Sequence, residues 1–117
     1  AEAGRRDEAL TAVEEAVEIR RRLAADNPAA YGPDLAASLF VTATILTMSG
    51  SPSQALRMTG QAVDLYRSLV GTMPYLVPQL YTVLELQAYL LAGLGRAKDA
   101  GQLRRWLKEN PLPPEFS

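Results

Sequence analysis

A short stretch that recurs along the chain decides the fold, and it reads Gly50-Ser-Pro-Ser-Gln-Ala-Leu56. An earlier copy reads Gly4-Arg-Arg-Asp-Glu-Ala-Leu10, and a later one reads Gly95-Arg-Ala-Lys-Asp-Ala100, so the period is about 46 residues. A period in this range indicates stacked supersecondary units, each too small to bury its own apolar face. The recurrence therefore predicts a repeat architecture.

Composition narrows the class of protein. The chain has 117 residues, of which 48% are hydrophobic, so it has the length and apolar content of one folded domain. Twelve basic and thirteen acidic residues give a net charge of -1, which predicts no nucleic-acid partner. The sequence contains no cysteine and no histidine. We therefore expect no disulfide, no metal, no cofactor and no enzymatic activity.

The sequence also predicts the cellular location of the chain. The N-terminus lacks the basic and apolar regions of a signal peptide. Glu85 and Gln87 interrupt the most apolar region, so we expect no segment to reach the ~20 apolar residues of a membrane span and no membrane partner. Absence of cysteine fits a reducing compartment, and a cytoplasmic location is predicted. Because the chain starts within a repeat, we expect it to be part of a larger regulatory protein.

Apolar spacing and helix signals predict five helices, over residues 5–25, 33–49, 51–70, 78–93 and 95–109. Asn27-Pro28 should end the first helix, and residues 29–32 should form a short connection before Pro33. Gly50 is predicted to close the second helix, and Ser51 with Gln54 to form a capping box for the third. Residues 110–114 should be extended.

These segments resemble tetratricopeptide repeats, and the long period is similar to repeats of kinesin light chains and of actinobacterial arrays. The resemblance implies an all-α antiparallel solenoid of helical hairpins, a TPR-like superhelix. Its repeat domain would span 1–110, with a half repeat at 4–26 and repeats at 33–72 and 77–109, followed by a proline-rich tail at 111–117. The small residues of the family's pattern are matched by Gly4, Ala9, Ala16, Ala43, Gly50, Ala55, Ala62, Ala88, Gly95 and Ala100.

The resemblance also implies a binding surface, because the first helix of each hairpin lines the concave groove in this family. Cations and paired asparagines that some relatives use to hold a peptide are missing here, so no clamp for a terminal carboxylate is expected. By alignment, the groove-facing residues are Ala37, Phe40, Thr44, Thr47, Thr82, Glu85, Tyr89 and Ala92.

The predicted function is protein–protein interaction or scaffolding with a protein or peptide partner. The alternative is a small-molecule or lipid sensor that uses the apolar groove around Phe40 and Tyr89. Phe40, Val41 and Tyr89 form either an exposed binding face or a surface buried against a neighbour. An uncovered apolar surface on the first two helices predicts a homodimer.

Other conspicuous side chains have structural explanations. Trp106 is expected to anchor the last helix on the fourth, because large aromatic residues dominate core packing. The run Arg20-Arg21-Arg22 is expected to be a solvated face.

Overall fold

The structure is a computed structural model that describes residues 2–116, with the side chains of residues 2, 3 and 6 excepted. It contains five α-helices, which are α1 (Glu2–Asp26), α2 (Pro28–Met48), α3 (Pro52–Leu69), α4 (Val77–Gly93) and α5 (Ala97–Glu109). Two short 3-10 helices lie at Pro74–Leu76 and Pro114–Phe116, and residues 2–116 contain no strand. The predicted all-α class is confirmed.

Helix α2 begins five residues earlier than predicted. The Asn27 side chain accepts a hydrogen bond from the Ala30 N–H (3.3 Å), and Pro28 occupies the first turn, where its missing N–H is tolerated. Residues 29–32 are therefore helical, and Pro33 lies inside the helix. Gly32 lies so close to α3 that an added Cβ would be 3.1 Å from a Leu69 methyl carbon. A Cβ at this position would require the Leu69 side chain to shift by a few tenths of an ångström.

The turns that follow α2 and α4 have the same geometry, as the repeat predicts. Gly50 has φ +77° and Gly95 has φ +78°. Ser51 N–H donates to the Leu46 carbonyl, and Arg96 N–H donates to the Leu91 carbonyl, both at 2.9 Å. Each turn is therefore a Schellman motif that closes its helix on a left-handed glycine.

The predicted capping box at Ser51 is wrong. The Ser51 side chain makes no capping hydrogen bond. Its backbone N–H is already committed to Leu46, so Gln54 has no free donor to accept from. Pro52 does occupy the first turn of α3, where its fixed φ suits the start of a helix.

Each helix packs most extensively against the helices that precede and follow it in the chain. The largest group of buried side chains lies where α2, α3 and α4 meet, and α1 covers one side of it. Its buried members are Val17, Ala24, Leu35, Ala36, Leu39, Ala62, Val63, Tyr66, Leu69, Leu76, Leu80, Val83 and Leu84.

Helix α2 is apolar enough to be compared with a membrane span. Its 21 residues have a mean hydropathy of 1.3 over the most apolar window, which meets the length and composition of a spanning helix. The expectation that no segment reaches this level, based on the region around Glu85, was therefore wrong. Leu35, Leu39 and Leu46 pack against neighbouring helices, and 39% of this window is buried inside the fold.

The C-terminal segment is only partly extended. Residues 111–113 have no regular structure, but Pro114–Phe116 form a 3-10 turn, which corrects the prediction of an extended tail to residue 114. The Tyr81 hydroxyl donates to the Asn110 carbonyl at 2.7 Å. The Trp106 ring lies 6.0 Å from the Tyr81 ring, so it contacts α4 as predicted, although it remains 42% exposed.

Candidate functional site

A depression with a volume of about 190 Å³ opens between α2 and α4. Helix α2 contributes Ala37, Phe40 and Val41 to its wall. Three of the eight residues predicted for the groove, Ala37, Phe40 and Thr82, therefore lie around one depression. The complete lining is Ala37, Phe40, Val41, Tyr66, Gln79, Thr82 and Val83, and none of these side chains is charged.

This depression continues across α2 into a second, shallower one between α1 and α2. Ala37 and Val41 line both depressions, and the second has a volume of about 380 Å³. The α1 side of the second depression is made by Ala12, Val13 and Ala16. Val41 is 45% exposed on the ridge that the two depressions share. The two together form one surface across α1, α2 and α4, which is uncharged in the first depression and includes Arg20 and Asp34 in the second.

The other predicted residues lie outside the α2–α4 depression. Glu85, Tyr89 and Ala92 are exposed further along α4, and Tyr89 is 62% exposed. Thr44 and Thr47 are half-buried, and their hydroxyls donate to the carbonyls of the residues four positions earlier. The same kind of bond joins the Thr82 hydroxyl to the Pro78 carbonyl (3.1 Å).

The three apolar residues singled out from the sequence differ in their exposure within one chain. Phe40 packs partly buried against the core, whereas Val41 and Tyr89 are exposed. Of the three, Phe40 and Val41 line the depression. The surface is thus accessible in one chain, and Phe40 is the part of it that packs against the core.

Tyr66 is a lining residue that the sequence argument missed. It lies on the buried face of α3, is 3% exposed, and lines the depression from behind α2 and α4. Burial raises the pKa of the Tyr66 hydroxyl above its ordinary value, so the group stays a neutral donor. Tyr66 lies on the same face of α3 as Ala62, Val63 and Leu69, which are buried. A tyrosine on a buried helix face is the sequence feature that could have indicated this residue.

Gln79 adds a second polar group to the lining. In the amide orientation that forms hydrogen bonds, the nitrogen donates to the carbonyls of Tyr75 (3.3 Å) and Leu76 (3.2 Å). These bonds hold the side chain against the 3-10 turn that precedes α4. The amide oxygen is left to accept a further hydrogen bond.

Two arginines of the run 20–22 connect helices, which corrects the expectation of a purely solvated face. Arg20 donates to the Ser38 hydroxyl of α2 at 2.6 Å. Arg21 donates to the amide oxygen of Gln61 on α3 at 2.5 Å. Both bonds fix the position of α1 relative to its neighbours, and Ser38 is itself buried.

A larger cavity between α1, α2 and α3, with a volume of about 370 Å³, has a different character. Glu14, Glu18, Arg21 and Arg57 all contribute to its wall. An occupant would have to displace water from charges of both signs, which is unfavourable unless each charge finds a partner. The uncharged α2–α4 depression is therefore the stronger candidate.

The described residues contain no group of three or more acidic side chains placed to hold a metal ion. Comparisons with models of protein families, with curated proteins and with solved structures found no match to this chain. Function is therefore inferred from the geometry of the chain.

Proposed function

We propose that the chain is a protein-interaction module, built as a TPR-like solenoid of helical hairpins, that binds a protein or peptide segment across α2 and α4. The observation that carries the proposal is the depression where Ala37 and Phe40 of α2 face Thr82 of α4. Those two helices are the ones that line the concave groove under the family resemblance.

The packing of the helices supports the repeat part of the proposal. Each helix contacts mainly its sequence neighbours, which is the pattern of a chain built from stacked units. The two Schellman turns lie 45 residues apart and have φ values within 1° of each other. Ala55 and Ala100, each five residues beyond its turn glycine, are both buried, at 0% and 1% exposure. Local structure and burial thus recur with the sequence.

The size of the depression favours a segment of polypeptide over a free small molecule. Sites for drug-sized ligands have volumes of roughly 300–1,000 Å³ and enclose most of the ligand. The depression of about 190 Å³ is smaller and open, so it suits one side chain of a longer partner. The alternative of a lipid or small-molecule sensor has less support for this reason.

The proposal is tested by selecting peptides against the purified chain from a random phage-displayed library, then measuring their affinities by calorimetry. Val41→Glu should weaken the selected peptides at least about tenfold, because it places a charge in an uncharged lining. Ile19→Glu is the matched control: Ile19 is 58% exposed on α1 and lies outside both depressions.

Thermal unfolding must show that both variants remain folded. If no peptide is selected, or if the two variants bind the selected peptides equally, the α2–α4 surface is not a peptide-binding site.

A further inference from the structure

We propose that the α2–α4 depression recognises one peptide unit of its partner, with the Tyr66 hydroxyl donating to the partner's carbonyl oxygen and Gln79 Oε1 accepting from its N–H. An apolar side chain of the partner would fill the space beside Phe40 and Val83. This inference rests on the proposed function and specifies what the site binds.

The first observation is that the Tyr66 hydroxyl makes no hydrogen bond to any described residue. Among those residues, every fully buried side-chain nitrogen or oxygen has a partner. The Tyr66 hydroxyl therefore keeps a small contact with solvent, although the residue as a whole is 97% buried (3% exposed). A tyrosine this buried usually has a partner for its O–H.

The second observation is the position of Tyr66 relative to the depression. Its backbone is on α3, which packs against both α2 and α4, and the residue lines the depression that opens between those two helices. A ligand in the depression would therefore contact Tyr66, whose hydroxyl is the donor available to it. Because burial favours the protonated phenol, that donor is retained at neutral and moderately alkaline pH.

The third observation is the complementary acceptor. Once the Gln79 nitrogen donates to Tyr75 and Leu76, its oxygen belongs to an exposed side chain in the same lining and can accept from a ligand. A donor and an acceptor in one small uncharged depression match the carbonyl and the N–H of a peptide backbone.

The apolar part of the lining defines the rest of the ligand. Ala37, Phe40, Val41 and Val83 surround a volume of about 190 Å³, which suits an aliphatic or aromatic side chain. No cation lines the depression, so a carboxylate placed there would lose its hydration without gaining an ion pair. The group that accepts a hydrogen bond from the Tyr66 hydroxyl is therefore a neutral carbonyl and not a chain-terminal carboxylate.

The test uses Tyr66→Phe, which deletes only the hydroxyl, with Tyr31→Phe as the matched control outside the depression. Peptides selected on the wild-type chain should bind Tyr66→Phe about two- to tenfold more weakly, the loss of one hydrogen bond. They should bind Tyr31→Phe as they bind the wild type. The melting temperature of Tyr66→Phe should be unchanged or higher, because the hydroxyl has no internal partner to lose.

Each outcome separates this inference from the proposed function. If Val41→Glu abolishes binding but Tyr66→Phe binds as tightly as the wild type, the site binds peptides without the Tyr66 bond and this inference fails alone. If the wild type selects no peptide, the proposed function fails. Amidating the C-terminus of a selected peptide should leave its affinity unchanged, and a loss of more than about tenfold would show that a carboxylate is the bound group.

Discussion

Helices α3 and α5 follow turns of the same geometry, yet they differ in how much of their length is buried. Ala55 of α3 and Ala100 of α5 occupy equivalent positions 45 residues apart, and both are inaccessible to solvent. Beyond that first turn the helices diverge. Thr59 and Val63 are buried at 0% and 4% exposure, whereas the equivalent residues, Arg104 and Lys108, are exposed.

The neighbours of the two helices explain this difference. Helix α3 packs against both α2 and α4, whereas the extensive contacts of α5 are with α4. A repeated sequence therefore reproduces its turn and first contact wherever it occurs, because those depend on local interactions. Burial along the rest of the helix depends on what lies on either side, and the amino acids differ accordingly.

The largest effect is expected from overfilling the buried face of α3. Ala62 is 0% exposed within the main core, so Ala62→Leu should lower the free energy of unfolding by about 1–3 kcal/mol. Ala97→Leu, at the exposed start of α5, should change it by less than about 0.5 kcal/mol. Urea denaturation followed by circular dichroism measures both. Equal losses would mean that α5 is packed as tightly as α3.

The next largest effect is expected at the left-handed glycine that closes the turn in both copies. Gly50→Ala and Gly95→Ala should each destabilise the fold by about 1–2 kcal/mol, because both glycines have a positive φ that disfavours a Cβ. Gly101→Ala, within exposed α5 and with open space around its Cβ position, should instead stabilise by about 0.5–1 kcal/mol. Unequal losses at positions 50 and 95 would show that the two turns are not energetically equivalent.

These comparisons also show what the sequence could predict. Helix number, the closing Gly50 and the end of α1 depend on local signals, and they were predicted correctly, whereas Gly95 closes α4 and does not open α5 as predicted. The start of α2 was missed because Pro28 and Pro33 are both acceptable first-turn prolines. Only the structure shows the capping bond of Asn27 and the close approach at Gly32.

The candidate site was less predictable because it depends on contacts between distant segments. A resemblance placed Ala37, Phe40 and Thr82 on one surface, and the structure brings them around one depression. Tyr66 belongs to the other helix of the hairpin, so no rule about groove-lining helices would include it. Ala24 lies near the end of α1, yet it is 9% exposed in the main core and makes a poor control for Ala62.

A smaller effect concerns how α1 is held to α2. Arg20→Met keeps the aliphatic stem but removes the bond to the buried Ser38 hydroxyl, so it should destabilise by about 1 kcal/mol. Arg22→Met, on the exposed side of α1, should have an effect near zero. Denaturant titration of the two variants compares them directly. A loss at Arg22 as large as that at Arg20 would indicate a general effect of charge and not the specific bond.

The smallest effect is a loss of stability at alkaline pH. It should arise from Tyr66, in the copy that begins at Gly50, and not from the copy that begins at Gly95. The pKa of Tyr66 is raised above 10.0 in the folded chain by burial, so the unfolded chain loses this proton first as the pH rises. The contribution of the protonated Tyr66 hydroxyl to stability is therefore complete below about pH 10. It is lost as the pH rises through the pKa that this hydroxyl has in the folded chain. Position 111, which corresponds to Tyr66 in the second copy, is a proline and has no such group.

Tyr66→Phe should accordingly lose less stability than the wild type above about pH 10, while Tyr75→Phe, at a residue that is 64% exposed, should follow the wild-type curve. Melting temperatures measured across pH 8–11 decide the matter, because the remaining tyrosines and basic residues are common to both variants. Parallel curves for Tyr66→Phe and the wild type would mean that the Tyr66 hydroxyl is more hydrated than its burial indicates. The same hydration would remove the reason for assigning it to a peptide carbonyl.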